Sequence, residues 1–179
     1  MPAKRPGTDL RALVRDVPDF PRPGIIFKDI TPLLLDPAGL EEAVSGLAAF
    51  ANPLGVDLVV AAEARGFILG GALARQLGAG FVPARKPGKL PSRTAEVAYE
   101  LEYGIDALQI DADAVAGGAR VLLHDDLLAT GGTARAVCDL VAGLGGEIVA
   151  CSFLIELSFL GGRARLAPHT VHALIDYTE

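Results

Sequence analysis

The sequence has 179 residues, of which 51% are hydrophobic, and its 16 basic and 22 acidic side chains leave a net charge of −6. That length suits one folding unit with a sizeable core, and the apolar share excludes a disordered chain. The acidic balance repels a nucleic-acid backbone unless basic residues gather on one face; they gather only locally, at Arg85, Lys86, Lys89 and Arg93, which suits one small anionic ligand better than a polymer.

In chain order, Thr8 can cap a short helix over Asp9–Asp16 that must stop before Pro18. The stiff, turn-rich run Phe20-Pro21-Arg22-Pro23-Gly24 precedes a short apolar stretch, Ile25-Ile26-Phe27. Asp36 as N-cap and Pro37 at the first helical position open a second helix with an apolar stripe through Leu40, Val44, Leu47 and Ala48. A regular alternation follows. Strand 58–61 leads through Ala62-Glu63-Ala64-Arg65-Gly66 into a helix over Phe67–Leu77, and strand 80–84 comes next. Strand 120–123 feeds a helix over Thr133–Leu144, and strand 147–155 follows. Strands apolar on both faces alternating with helices read as a doubly wound α/β fold with a mainly parallel sheet. Residues 94–110 differ. Ala95, Val97, Tyr99 and Leu101 alternate with polar neighbours, and a turn at Tyr103-Gly104 precedes residues 107–110, as in a half-exposed antiparallel excursion. Residues 170–175 form a candidate last edge strand.

The two cysteines, Cys138 and Cys151, are too few for a disulfide framework or a zinc site and read as buried thiols in a reducing compartment. His124, His169 and His172 lack metal-ligand spacing, so no protein-held metal is expected. No stretch approaches the roughly 18 apolar residues needed to span a bilayer, and a cytoplasmic location is expected.

The chemistry concentrates at His124-Asp125-Asp126-Leu127-Leu128-Ala129-Thr130-Gly131-Gly132-Thr133. Two adjacent carboxylates stand just past the carboxyl end of an expected central strand, where open α/β sheets place ligands. The small residues and two hydroxyls after them lead into a helix start, where backbone N–H groups and the helix dipole converge on a phosphate. Strand-end aspartates and a threonine cap alone would produce a similar pattern. Other phosphate motifs fail, since no GxGxxG occurs here and Gly131-Gly132-Thr133 lacks the lysine of a Walker A loop.

This segment closely resembles the signature of type I phosphoribosyltransferases, and the chain from about Asp19 to Leu166 is similar to the adenine-using branch of that family. The resemblance implies a single phosphoribosyltransferase domain over 1–179, with an N-terminal arm and base hood at 1–35 and a flexible loop and antiparallel hairpin at 85–110. It implies an enzyme of purine salvage converting adenine and 5-phospho-α-D-ribose 1-diphosphate to AMP and diphosphate. Asp125 and Asp126 would contact the ribose hydroxyls, and Ala129, Thr130, Gly131, Gly132 and Thr133 the 5′-phosphate. Arg65 would meet the pyrophosphate, and Arg85 and Lys89 would belong to a mobile catalytic loop. Glu102 and Tyr103 would approach the purine side, with Glu102 managing its proton, while Ile26 and Phe27 would bracket the base beside Lys28. Mg²⁺ would be carried mainly by the donor. A homodimer is implied, with no nucleic-acid or membrane partner. Three departures stand out: His124 replaces an aliphatic residue, Lys28 stands where some members have arginine, and Ala64 replaces a serine seen in some relatives. His124 is either a satisfied strand-end residue or an imidazolium that tunes the acidic pair. A 6-oxopurine transferase and a regulatory protein sharing the donor loop are the rival readings, the latter expected to add a nucleic-acid-binding element.

Overall fold

A computed structural model describes residues 8–101, 104–115 and 117–179. Glu102 and Tyr103, assigned above to the purine side, lie outside the described residues. The chain divides into two compact units, Met1–Gly46 and Leu47–Glu179.

In the first unit the expected helix over Asp9–Asp16 is not formed. A 3₁₀ turn at Arg11–Leu13 gives way to strand β1 (Arg15–Pro18), which pairs antiparallel with β2 (Ile26–Asp29). The strand wins because its ion pairs bridge the hairpin, Arg15 to Asp29 at 2.5 Å and Lys28 Nζ to Asp16 at 2.7 Å; a local helix would leave these partners apart. Asp19 accepts the Gly24 N–H at 2.8 Å and closes the intervening turn. Helix α1 (Thr31–Leu35) is followed by α2 (Pro37–Ala51). Asp36 accepts the Gly39 N–H at 2.6 Å, the N-cap read from the sequence, and Val44, Leu47 and Ala48 of the expected stripe are buried.

The second unit is built on five parallel strands, β3 (Leu58–Ala62), β4 (Gly80–Ala84), β7 (Arg120–Leu128), β8 (Glu147–Leu157) and β9 (Val171–Tyr177), in the order β4-β3-β7-β8-β9. Pro83 is tolerated because β4 is an edge strand. Between β4 and β7, β5 (Thr94–Leu101) and β6 (Gly104–Asp111) form the expected antiparallel hairpin, joined to the end of β4 by paired backbone hydrogen bonds between Arg85 and Gln109.

Helix α3 (Gly66–Leu77) links β3 to β4, and α4 (Gly132–Gly143) links β7 to β8. These steps run in opposite directions from the β3/β7 pair, so right-handed crossovers place the two helices on opposite faces of the sheet. The packing agrees. Gly70 of α3 faces Ala61, Phe81 and His124, whereas the core that contains Val137 and Val141 of α4 takes the alternate residues Val60, Val82, Leu123, Cys151 and Phe153. Ligands bind open α/β sheets where the strand order reverses, at the carboxyl ends of β3 and β7.

One boundary moves the chemistry. Strand β7 continues to Leu128, so Asp125 and Asp126 lie within it rather than past its end. Pairing with β8 carries it on, Asp125 opposite Phe153 and Leu128 opposite Glu156, which outweighs the low strand preference of two aspartates.

Candidate active site

Two loops meet at the switch point. After β3, Glu63-Ala64-Arg65 turns into α3, with a cis peptide between Glu63 and Ala64. After β7, Ala129-Thr130-Gly131 turns into α4. Arg65 Nε reaches across to Asp126 Oδ2 at 3.0 Å. That oxygen accepts no hydrogen bond among the described residues, so the contact is electrostatic rather than a directed bond. The start of α3 also presses on the acidic pair: a Cβ on Gly66 would stand 2.7 Å from Asp125 Oδ1 and 3.4 Å from its Cα.

Burial, and then the charge of Asp126, push the Asp125 carboxyl well above its ordinary range. Burial also raises Asp126, against the opposing pull of Arg65. Even with the Asp126 N–H donating to Asp125 Oδ1 at 2.9 Å and Arg65 beside Asp126, burial dominates and both carboxyls are raised, a setting suited to sugar hydroxyls and an associated cation.

At the head of α4, Gly131 adopts the left-handed conformation (φ 80°) and no side chain caps the helix. The first-turn N–H groups of Gly132, Thr133 and Ala134 have no intrahelical acceptors, so they and the helix dipole are available to an anion, while the Thr133 side chain is hydrogen-bonded with Tyr99. Ala129, Thr130, Gly131, Gly132 and Thr133 are thus assembled into one cradle beside Asp125 and Asp126.

His124 lies inside β7 rather than at its end, and burial disfavours its imidazolium form. It is fully buried on the α3 face; the Ser152 hydroxyl donates to the Leu123 carbonyl at 3.2 Å and accepts from His124 Nδ1–H at 3.1 Å. Burial lowers its pKa from 6.5 to about 4, which favours the neutral ring, and Nε2 lacks a partner among the described residues.

The local gathering of cations, read above as suited to an anionic ligand, already has carboxylate partners within the chain. Arg85 Nε donates to Glu63 Oε2 at 2.8 Å and its Nη1 to the Lys89 carbonyl at 3.0 Å. Lys86 pairs with Asp106 at 3.1 Å and Arg93 with Asp113 at 2.6 Å. Carboxylates distant in sequence neutralise three of the four cations, while Lys89 makes no ion pair among the described residues. Irregular backbone over 86–93 agrees with a loop carrying Pro87, Gly88 and Pro91.

In the first unit Phe20 and Phe27 make an edge-to-face pair at 5.1 Å, and Phe20 and Ile26 are each more than half exposed, giving the hairpin an apolar edge. Lys28 is buried against Asp16. Nothing local in the sequence pairs Glu63 with Arg85, 22 residues away, or Ser152 with His124, and Glu156, Gly162 and Arg163 carry no motif.

A parallel sheet whose order reverses between β3 and β7, with an acidic pair in β7 and an uncapped helix start after it, has the architecture of a phosphoribosyltransferase. The family model described as "Phosphoribosyl transferase domain" matches residues 34–169. The chain is 53% identical to the adenine phosphoribosyltransferase of Solibacter usitatus over 96% of this chain and 99% of that relative. It superposes on the crystal structure of the adenine phosphoribosyltransferase from Thermoanaerobacter pseudethanolicus with a TM-score of 0.92, at 49% identity over 94% and 98% of the two chains. The Saccharomyces cerevisiae enzyme, solved with an imino-altritol bisphosphate and adenine, gives 0.88 at 37% identity over 92% and 96%. The chain belongs to the type I phosphoribosyltransferase family and, within it, to the adenine phosphoribosyltransferases.

Proposed function

We propose that the chain transfers the phosphoribosyl group of 5-phospho-α-D-ribose 1-diphosphate to N9 of adenine, releasing AMP and diphosphate, as a step of purine salvage. The observation that carries this reading at residue level is the juxtaposition of the Asp125–Asp126 pair with the open cradle at Ala129–Thr133 and with Arg65.

The cradle takes the 5′-phosphate through the N–H groups of α4 and the two threonine hydroxyls. Asp125 and Asp126 accept hydrogen bonds from the ribose 2′ and 3′ hydroxyls, fixing the ring so that C1 faces the base. Arg65 exchanges Asp126 for the incoming pyrophosphate; with Lys89 and Arg85 it stabilises the negative charge that grows as the C1–O bond lengthens. Ile26 and Phe27 of the apolar hairpin edge bracket the purine, with Lys28 fixed beneath them by Asp16. Glu102, with Tyr103 next to it, holds the purine proton as N9 attacks, and closure of the 86–93 loop excludes water that would otherwise capture the ribosyl cation.

Mg²⁺ fits this donor set. No group of three or more His, Cys, Asp or Glu residues among the described residues is arranged to hold an ion alone, whereas Asp125 and Asp126 offer hard oxygen ligands behind the donor's own oxygens. Bound there, it would neutralise the leaving diphosphate. No helix among the described residues is long and apolar enough to cross a membrane. A homodimer in the cytoplasm completes the reading, with sedimentation testing the assembly.

The test is a panel of bases with one donor, read as diphosphate release. Adenine is expected to turn over and hypoxanthine to lag far behind, because a carbonyl placed to accept the 6-amino group meets an acceptor in the 6-oxo base and leaves both unpaired. Release with adenine no faster than with no base would end the proposal.

A further inference from the structure

The segment between β8 and β9 carries a feature the proposed reaction has not used. Helix α5 (Gly162–Arg165) brings Gly162 against the cradle from behind, backbone to backbone. A Cβ on Gly162 would stand 2.1 Å from the Ala129 carbonyl oxygen and 3.1 Å from the Gly131 nitrogen, and one on Gly131 would stand 2.7 Å from the Gly162 carbonyl oxygen. Gly162 does not have a positive φ, so the requirement for glycine here is space rather than conformation.

The next residue locks this contact. Arg163 donates from Nε to Glu156 Oε1 at 3.0 Å, from Nη2 to Glu156 Oε2, and from Nη1 to the Val171 carbonyl at 2.6 Å. Glu156 is buried in β8, where its backbone pairs with Leu128, the residue just before the cradle. The contacts close a ring: Leu128 to Glu156 through the sheet, Glu156 to Arg163 through a two-pronged ion pair, and Gly162 back to Ala129 by backbone contact. A bidentate arginine–carboxylate pair fixes direction as well as distance, so the ring sets where Ala129–Gly131 sit relative to the strand that bears the acidic pair.

We propose that Gly162, Arg163 and Glu156 are positioning residues for the donor's 5′-phosphate, holding the Ala129–Thr133 cradle at a fixed distance from Asp125 and Asp126; the proposal rests on the assignment of that cradle made above. None of the three touches the ligand. Their effect is expected on the phosphate end of the donor and not on its pyrophosphate end, which Arg65 serves from the other loop.

The experiment measures calorimetric affinities of the full-length protein for ribose 5-phosphate and for Mg²⁺-bound diphosphate separately, with donor KM, adenine KM and kcat alongside. Gly162→Ala is expected to weaken ribose 5-phosphate by about 10- to 100-fold, the scale of a roughly 1 Å misplacement, with diphosphate affinity and adenine KM within about twofold of wild type. Glu156→Gln keeps the shape and serves if the alanine variant does not fold; it is expected to weaken ribose 5-phosphate in the same selective way. Arg163→Lys is expected to recover part of what Arg163→Met loses. Gly161→Asn is the control, since Gly161 has nothing within 4 Å of its would-be Cβ and a left-handed φ that asparagine tolerates. Equal loss of both ligands, or no loss of ribose 5-phosphate, would overturn the positioning role while leaving the reaction assignment standing. Failure of the wild-type protein to bind ribose 5-phosphate would overturn both.

Discussion

His124→Val tests the electrostatics beneath the acidic pair. The ring is fully buried, among the described residues it hydrogen-bonds only through Nδ1 to Ser152, and burial lowers its pKa from 6.5 to about 4. A histidine whose folded pKa is depressed contributes stability that is present above its unfolded pKa and is lost as pH falls toward the folded value; the window here is pH 6.5 to about 4. At pH 4.5 the unfolded ring is nearly all protonated and the folded ring mostly neutral, so this residue alone costs roughly 2–3 kcal/mol relative to pH 7. For a chain of this size that is roughly 5–10 °C in Tm. Valine suits a strand, removes the unpaired Nε2, and leaves Ser152 its bond to the Leu123 carbonyl, so the variant is expected within about 1 kcal/mol of wild type at pH 7. Urea denaturation of both proteins at pH 7 and pH 4.5 provides the measurement. The difference between them isolates His124 from His172, also lowered by burial, and from the raised aspartates, whose contributions run the other way. Parallel loss of stability in the two proteins would refute the neutral buried ring.

Asp125→Asn is expected to abolish tight donor binding in calorimetry while raising stability by about 0.5–2 kcal/mol at neutral pH, the usual gain from relieving a functional site. The sign follows from the raised folded pKa: the carboxyl's contribution is fully present below its unfolded value of 3.8 and is lost as pH rises through the folded value, so the variant's advantage is expected to vanish near pH 3.5. Gly66→Ala places a Cβ 2.7 Å from Asp125 Oδ1 and is expected to raise donor KM about tenfold or more with little change in adenine KM; an unchanged donor KM would show that the pair moves freely. Glu102→Gln is expected to slow single-turnover AMP formation more than it weakens donor binding, and an unaltered chemical step would make Glu102 structural.

The contiguous parts of this protein were legible in its sequence. Strand–loop–helix order, the Asp36 cap and the run from Asp125 to Thr133 are local patterns whose spacing gives a parallel sheet and a helix start close behind two carboxylates. What depended on partners far along the chain was not legible. The helix expected over Asp9–Asp16 became a strand because Arg15 and Asp16 found Asp29 and Lys28 across a hairpin. The cationic loop looked free for a ligand because Glu63, Asp106 and Asp113 could not be seen beside Arg85, Lys86 and Arg93. His124 looked available for charge until β8 brought Ser152 to one nitrogen and α3 shut water from the other. The contact of Gly162 with Ala129 likewise exists only once β7 and β8 are in register. Hydrophobic period and turn chemistry are properties of neighbouring residues, so sequence determined them; charge pairing, desolvation and backbone contact depend on which distant residues share a volume, and the tertiary structure alone decided those.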